Sequence, residues 1–160
     1  MANSTTQLME QFKEGKYRDL LKDIYADEGM LAYQEERYEK ALQSFEEIFG
    51  AKEVEIYSAP GRSEVGGNHT DHQYGKVLAT SINLDAIAIV AKTDDNKIRL
   101  KSEGYNMIET GLDSMEAKES AYGTSEALIE GVASKFEEEG YKIGGFEAYV
   151  TSDVLNGAGM

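Results

Sequence analysis

The stretch Ser58-Ala-Pro-Gly-Arg-Ser-Glu-Val-Gly-Gly-Asn-His-Thr-Asp-His-Gln-Tyr-Gly-Lys-Val-Leu-Ala-Thr-Ser-Ile-Asn-Leu-Asp85 decides how this chain is read. It holds the only proline, both histidines and four glycines, with Arg62, Asn68 and Asp71 among them. Strands can supply a rigid frame, while a glycine-bearing connection lets the backbone and its polar side chains come close to a ligand. Any chemistry is expected to begin here.

The flanks have the period of strands. Upstream, Val54-Glu-Ile-Tyr-Ser58 alternates like a half-buried strand; downstream, Val77–Ile82 and Ala86–Ala91 are apolar runs of strand length. The cluster Thr93-Asp-Asp-Asn-Lys97 predicts a turn, and Ile98-Arg-Leu-Lys-Ser102 predicts a partner strand, so that 86–102 reads as a hairpin. Residues 103–120 are polar and suggest no element. Thr124 or Ser125 can cap a helix with Leu128, Ile129, Val132, Ala133 and Phe136 on one side, ending before Gly140. Phe146–Ser152 predicts a last strand, which runs into Asn156-Gly-Ala-Gly-Met160. Strand, glycine-rich turn and helix N-terminus together make a phosphate-holding arrangement. The G-x-G alone is equally an ordinary turn or a ragged terminus.

Residues 5–49 contain no proline and show helical spacing. Leu8, Met9 and Phe12 predict one short helix broken at Gly15, and Tyr17, Leu20, Leu21 and Ile24 predict a second. Tyr38, Ala41, Leu42, Phe45, Ile48 and Phe49 form the stripe of a longer amphipathic helix, with Glu35, Glu36, Lys40, Glu46 and Glu47 off that stripe and Gly50 at its C-terminus. The stripe is expected to pack on the domain that follows.

Composition narrows the function classes. A chain of 160 residues, 41% hydrophobic, can bury one sizeable core. Its formal net charge of -14 argues against nucleic acid and anionic membrane as partners. Without cysteine there is no disulfide frame and no thiolate metal site. The N-terminus lacks the pattern of a secretory signal and no run reaches the roughly 18 apolar residues of a spanning helix, so a soluble, cytoplasmic protein is expected. His69 and His72 have no helix to put both rings on one face, so no metal site is assigned to them. Arg62 could simply pair with Glu64, and Asp71 could be an ordinary turn residue.

Two stretches together move those residues toward function. Gly61-Arg62-Ser63-Glu64-Val65-Gly66-Gly67-Asn68-His69-Thr70-Asp71-His72, followed by Gly75 and Val77-Leu78, is similar to the sugar-binding signature of the galactokinase branch of the GHMP small-molecule kinases. Thr151–Met160 looks like the opening of the same family's phosphate-binding motif. The resemblance runs from about Val54 to Met160. It implies an α+β fold of the ribosomal protein S5 domain 2-like type, as an incomplete domain at 51–160 behind a helical extension at 1–50. It implies a signature at 58–85 and the start of a phosphate motif at 151–160. It also implies ATP-dependent phosphorylation of the anomeric hydroxyl of galactose, with Mg2+ on the nucleotide phosphates. In that scheme Arg62 lies near the reacting hydroxyl as the catalytic cation. Asn68, His69 and Asp71 bind the sugar, and Gly157 and Gly159 begin the phosphate loop. The family's catalytic aspartate belongs to a later segment, so the 160 residues alone are expected to be inactive. Asn68 replaces the usual glutamate, His72 the usual tyrosine and Leu155 a common proline. These departures leave two alternatives open: a non-catalytic sugar and nucleotide sensor, or a GHMP kinase for another small alcohol.

Overall fold

The computed structural model describes residues 3–67, 70–113 and 121–154. A two-residue strand, β1 (Asn3–Ser4), leads into α1 (Thr5–Lys13), α2 (Arg18–Tyr25) and the long α3 (Leu31–Phe49). Two long strands follow, β2 (Glu53–Gly66) and β3 (Leu78–Lys92), then β4 (Lys97–Ser102), β5 (Met107–Gly111), α4 (Ser125–Glu138) and β6 (Phe146–Ser152). Among the described residues the strands form one sheet in the order β1-β2-β3-β6-β4-β5, antiparallel except where β4 runs parallel to β6. The class is α+β, as expected.

Local chemistry sets the helix ends. Ser4 caps α1 in a reciprocal capping box with Gln7, and Gly15 turns the chain with φ +70°. Gly50, at φ +82°, closes α3 in a conformation that glycine adopts without strain. Thr124 caps α4 by accepting from the Ala127 amide at 3.2 Å.

The helices cover one face of the sheet. Alternation along β3 turns Asp85, Ile87, Ile89 and Ala91 toward them, and the register sets Tyr149 of β6 beside Ile89. Leu8 and Phe12 of α1, Leu21 and Tyr25 of α2, and Tyr38, Ala41, Leu42 and Phe45 of α3 complete this core. Leu20 and Ile24, counted on the apolar face of α2 by their spacing, are 55% and 42% exposed, so the buried stripe of that helix is Leu21 and Tyr25.

Three strand expectations change. The runs 77–82 and 86–91 are parts of the single strand β3, bent where its register with β2 shifts. A strand, β5, lies inside the polar stretch 103–120. The predicted hairpin 86–102 does not form, because β6 lies between β3 and β4 and pairs with both. Gly145 makes room for that insertion: a Cβ there would lie 2.7 Å from the Lys97 carbonyl oxygen, and its own carbonyl accepts from the Thr93 amide at 3.0 Å. On the opposite face α4 buries only Ala133 and leaves Leu128, Val132 and Phe136 more than half exposed, beside an apolar groove of about 480 Å³.

Two predictions follow from this packing. Phe45 is fully buried under α3, so Phe45→Ala should cost about 3–5 kcal/mol in urea unfolding; a loss near zero would take Phe45 out of the core. In the β3–β4 turn, Asp95 accepts from Arg99 at 2.6 Å and from Thr93 at 2.9 Å, which lowers its pKa from 3.8 to about 2. The folded state therefore gains from ionised Asp95 above pH 3.8 and loses that gain as pH falls toward 2. Asp95→Asn should lower Tm at neutral pH by a margin that shrinks to nothing in acid melts; a margin that does not change with pH would contradict it.

Candidate functional site

β2 and β3 run side by side for most of their length, and two irregularities interrupt them. Between the pairs Pro60↔Asp85 and Arg62↔Ser81, the single residue Gly61 faces the three residues 82–84; between Glu64↔Ala79 and Gly66↔Leu78, Val65 has no opposite number. Extra residues of this kind bend a strand pair and re-aim its side chains, and they are common next to binding sites. Arg62 stands between the two irregularities, on the strand itself and exposed.

The connection beyond β2 is closed by glycines. A Cβ on Gly67, which has φ +117°, would lie 2.7 Å from the Lys76 carbonyl oxygen and from the Val77 Cα. One on Gly75 would overlap Thr70, at 2.7 Å from its carbonyl oxygen and closer still to its side chain. Thr70 donates its hydroxyl to the Gly67 carbonyl at 2.8 Å and accepts the Gly75 amide on its own carbonyl at 2.7 Å. Asp71 opens a short 3-10 turn over Asp71–Gln73 within this loop. Asn68, His69, Gly157 and Gly159 lie outside the described residues, as does the side chain of Asp71.

The two glycine-bearing stretches meet at Gly61. A Cβ there would sit 3.0 Å from Val154 Cγ2 and 3.2 Å from Ile82 Cδ1. The bulge beside Arg62 is therefore packed against Val154, the second residue past β6, on the chain that continues to Gly157 and Gly159.

Beneath this contact lies a buried polar node that the sequence reading did not single out. Asp85, 2% exposed, accepts from Arg37 Nη1 at 2.6 Å, from the Tyr25 hydroxyl at 2.8 Å and from the Ser58 hydroxyl at 2.5 Å. Arg37, 6% exposed, also donates to the Asp85 backbone carbonyl at 2.9 Å and lies 3.1 Å from Asp153 Oδ2. The Asp85 carbonyl accepts the Asp153 amide as well, at 3.0 Å, and Tyr33 donates to Asp153 Oδ1 at 2.8 Å. Burial by itself would lower the pKa of Arg37, but its hydrogen bond and charge pairing with Asp85, and the charge of Asp153, raise it on balance. Burial first, then the bonds to Tyr38 and Asp85, pushes the Tyr25 hydroxyl well above its ordinary range, so it stays a proton donor. The signal for this node was in the sequence: a charge, Arg37, among the apolar positions of one helix, and another, Asp85, at the mouth of an apolar strand.

Comparison with known proteins fits these observations. The family described as the galactokinase galactose-binding signature matches residues 43–92, from the end of α3 through β2 and the glycine loop to the last residue of β3. The chain is a relative of the galactokinases. It is 33% identical to the galactokinase of Enterococcus faecalis over 126 residues, which is 76% of this chain and 32% of that protein. It is 39% identical to that of Pyrococcus furiosus over 103 residues, 64% of this chain and 28% of that one. The structure of Lactococcus lactis galactokinase complexed with galactose superimposes with a TM-score of 0.63 at 31% identity, covering 71% of this chain and 30% of that one. Mevalonate kinase of Methanococcus jannaschii shares the fold at 14% identity, with a TM-score of 0.52. The chain thus spans about a third of the length of the galactokinases it matches. Among the described residues no helix is long and apolar enough to cross a membrane.

The contact at Gly61 can be checked directly. Gly61→Ala should destabilise the chain by about 1–3 kcal/mol, because Val154 and Ile82 must give way. Adding Val154→Ala should recover a good part of that loss in denaturant unfolding. Strict additivity of the two changes would mean that the stretches do not press on one another.

Proposed function

We propose that this chain is the sugar-binding part of a galactokinase, together with the opening of its phosphate-binding part, and that the reaction served is transfer of the γ-phosphoryl group of ATP to the anomeric hydroxyl of galactose. Residues 51–160 belong to the kinase domain in this reading, and residues 1–50 form a helical extension packed on it. The ligands are small and water-soluble, galactose and ATP, and the setting is the cytoplasm. The observation that carries the reading is the coincidence of the galactose-binding signature with the bulged strand pair and its glycine loop.

Phosphoryl transfer asks a protein mainly to hold its reactants in line and to offset charge on the moving group. Arg62 has the means to do the second, since its guanidinium stays charged and its fork matches phosphate or hydroxyl oxygens. It precedes Asn68, His69 and Asp71 by six, seven and nine positions on the same strand and loop. A carboxylate at Asp71 can accept from two neighbouring sugar hydroxyls, and Asn68 and His69 add contacts that can both donate and accept. Gly157 and Gly159 would let backbone amides approach the nucleotide phosphates.

Magnesium, which prefers oxygen ligands and commonly rides on phosphates, supplies charge neutralisation in such reactions. Asp85 and Asp153 are already engaged by Arg37. In this reading the metal is therefore carried by the nucleotide and not by those two carboxylates.

The test is kinetic, on the enzyme that contains this chain. Asp71→Ala should remove about 1–3 kcal/mol of binding to the sugar, lowering kcat/KM for galactose about ten-fold to more than a hundred-fold, chiefly through KM. Arg62→Ala should act mainly on kcat. Unchanged kinetics in both, or a preference for another alcohol over galactose, would overturn the assignment.

A further inference from the structure

Arg37 belongs to α3, outside both glycine-bearing stretches, yet it is tied to each of them. Through Asp85 it reaches the strand pair, since Asp85 faces Pro60 across the ladder and binds the Ser58 hydroxyl at 2.5 Å. Through Asp153 it reaches the end of β6, at 3.1 Å, and its Nη2 also lies 3.5 Å from the Thr151 carbonyl. The same Asp85 carbonyl takes both the Arg37 Nη2 donor and the Asp153 amide. One guanidinium thus fixes the spacing between Asp85 and Asp153, and the residue after Asp153 is the one against which Gly61 rests.

We propose that Arg37 is a positioning residue: it seats Val154 on Gly61 and thereby sets the place of Arg62 relative to the chain that leads to Gly157 and Gly159. This rests on the galactokinase reading for its functional consequence, but its geometric content does not. A planar fork is needed for the task. Lysine would keep the charge, but as a single point it could not hold the Asp85 carboxylate, the Asp85 carbonyl and Asp153 together. A displacement of Arg62 by a fraction of an ångström to an ångström is enough to weaken an aligned site severely.

The experiment compares three forms of the full 160-residue chain: wild type, Arg37→Lys, and Phe45→Leu, which loosens the same helix through the core alone. Each is melted to establish that it folds, and backbone amide spectra are recorded. Arg37→Lys is expected to move the amide signals of Gly61–Ser63 and Thr151–Val154 and to weaken galactose binding roughly ten-fold or more. Phe45→Leu is expected to lower Tm while leaving those signals in place. If Arg37→Lys folds with the signals of Gly61–Ser63 and Thr151–Val154 unmoved, or if Phe45→Leu moves them equally, the positioning role is wrong. Galactose binding is measured in the enzyme that contains this chain, and its absence there in the wild type would count against the sugar reading instead, with the amide comparison still deciding the role of Arg37.

Discussion

The ion pair between Arg37 and Asp85 is the constraint on which the arrangement of this chain turns. It joins the helical layer to the centre of the sheet at a place where both side chains are almost fully buried. A buried pair of this kind contributes little net stability, since desolvating two charges costs nearly as much as their attraction returns. What it does impose is geometry. Removing one partner strands the other, so packings of the helices that separate Arg37 from Asp85 are penalised. Tyr25 and Ser58 reinforce the choice, because each brings a hydroxyl from a different element to the same carboxylate.

The irregularities in the strand pair make sense against that fixed point. An uninterrupted ladder from Glu55 to Gly66 would continue the twist of β2 and β3 smoothly outward. Instead the register changes just past Asp85, where the node stops pinning the strands, and changes again before the glycine loop. Arg62 is held between these breaks, on backbone that is hydrogen-bonded and yet re-aimed. The loop beyond closes with Gly67 and Gly75, at positions where any side chain would strike backbone or Thr70. Strands, a bulge and a glycine closure together frame the connection between β2 and β3.

Much of this was legible in the amino-acid order. The amphipathic stripe Tyr38-Ala41-Leu42-Phe45-Ile48-Phe49 identified α3, of which Tyr38, Ala41, Leu42 and Phe45 are buried and Ile48 is 39% exposed; of Thr124 and Ser125, Thr124 is the cap of α4, and the signature around Arg62 and Asp71 pointed to the galactokinases. The failures have physical causes. Alternation shows that Ile98 and Leu100 belong to a strand, but pairing is chosen between strands far apart in sequence. β6, with buried Ala148 and Tyr149, offers an interior strand that can pair on both edges, and it displaces the adjacent hairpin. The short run Met107–Gly111 is one edge strand whose charges pair with β4, as Glu109 does with Lys97 and Arg99, and so it reads as polar. The node was passed over because arginine and aspartate are ordinarily surface residues, and no spacing rule links positions 37 and 85. Leu128, Val132 and Phe136 form the stripe that α4 was expected to have, and the side of α4 that carries them lies open.

A double-mutant cycle on Arg37 and Asp85 tests the central claim most directly, with Arg37→Met, Asp85→Asn and the pair compared in denaturant unfolding. If the node fixes the assembly as described, Arg37→Met leaves the Asp85 carboxylate buried without a counter-charge and costs about 3–5 kcal/mol, while Asp85→Asn costs less, because Arg37 keeps Asp153 at 3.1 Å. The double variant should then be more stable than the sum predicts, with a coupling of about 2 kcal/mol or more. Additivity within about 0.5 kcal/mol would show that the two residues act independently, and the account of how the helices, the strand pair and the end of β6 are held together would be contradicted.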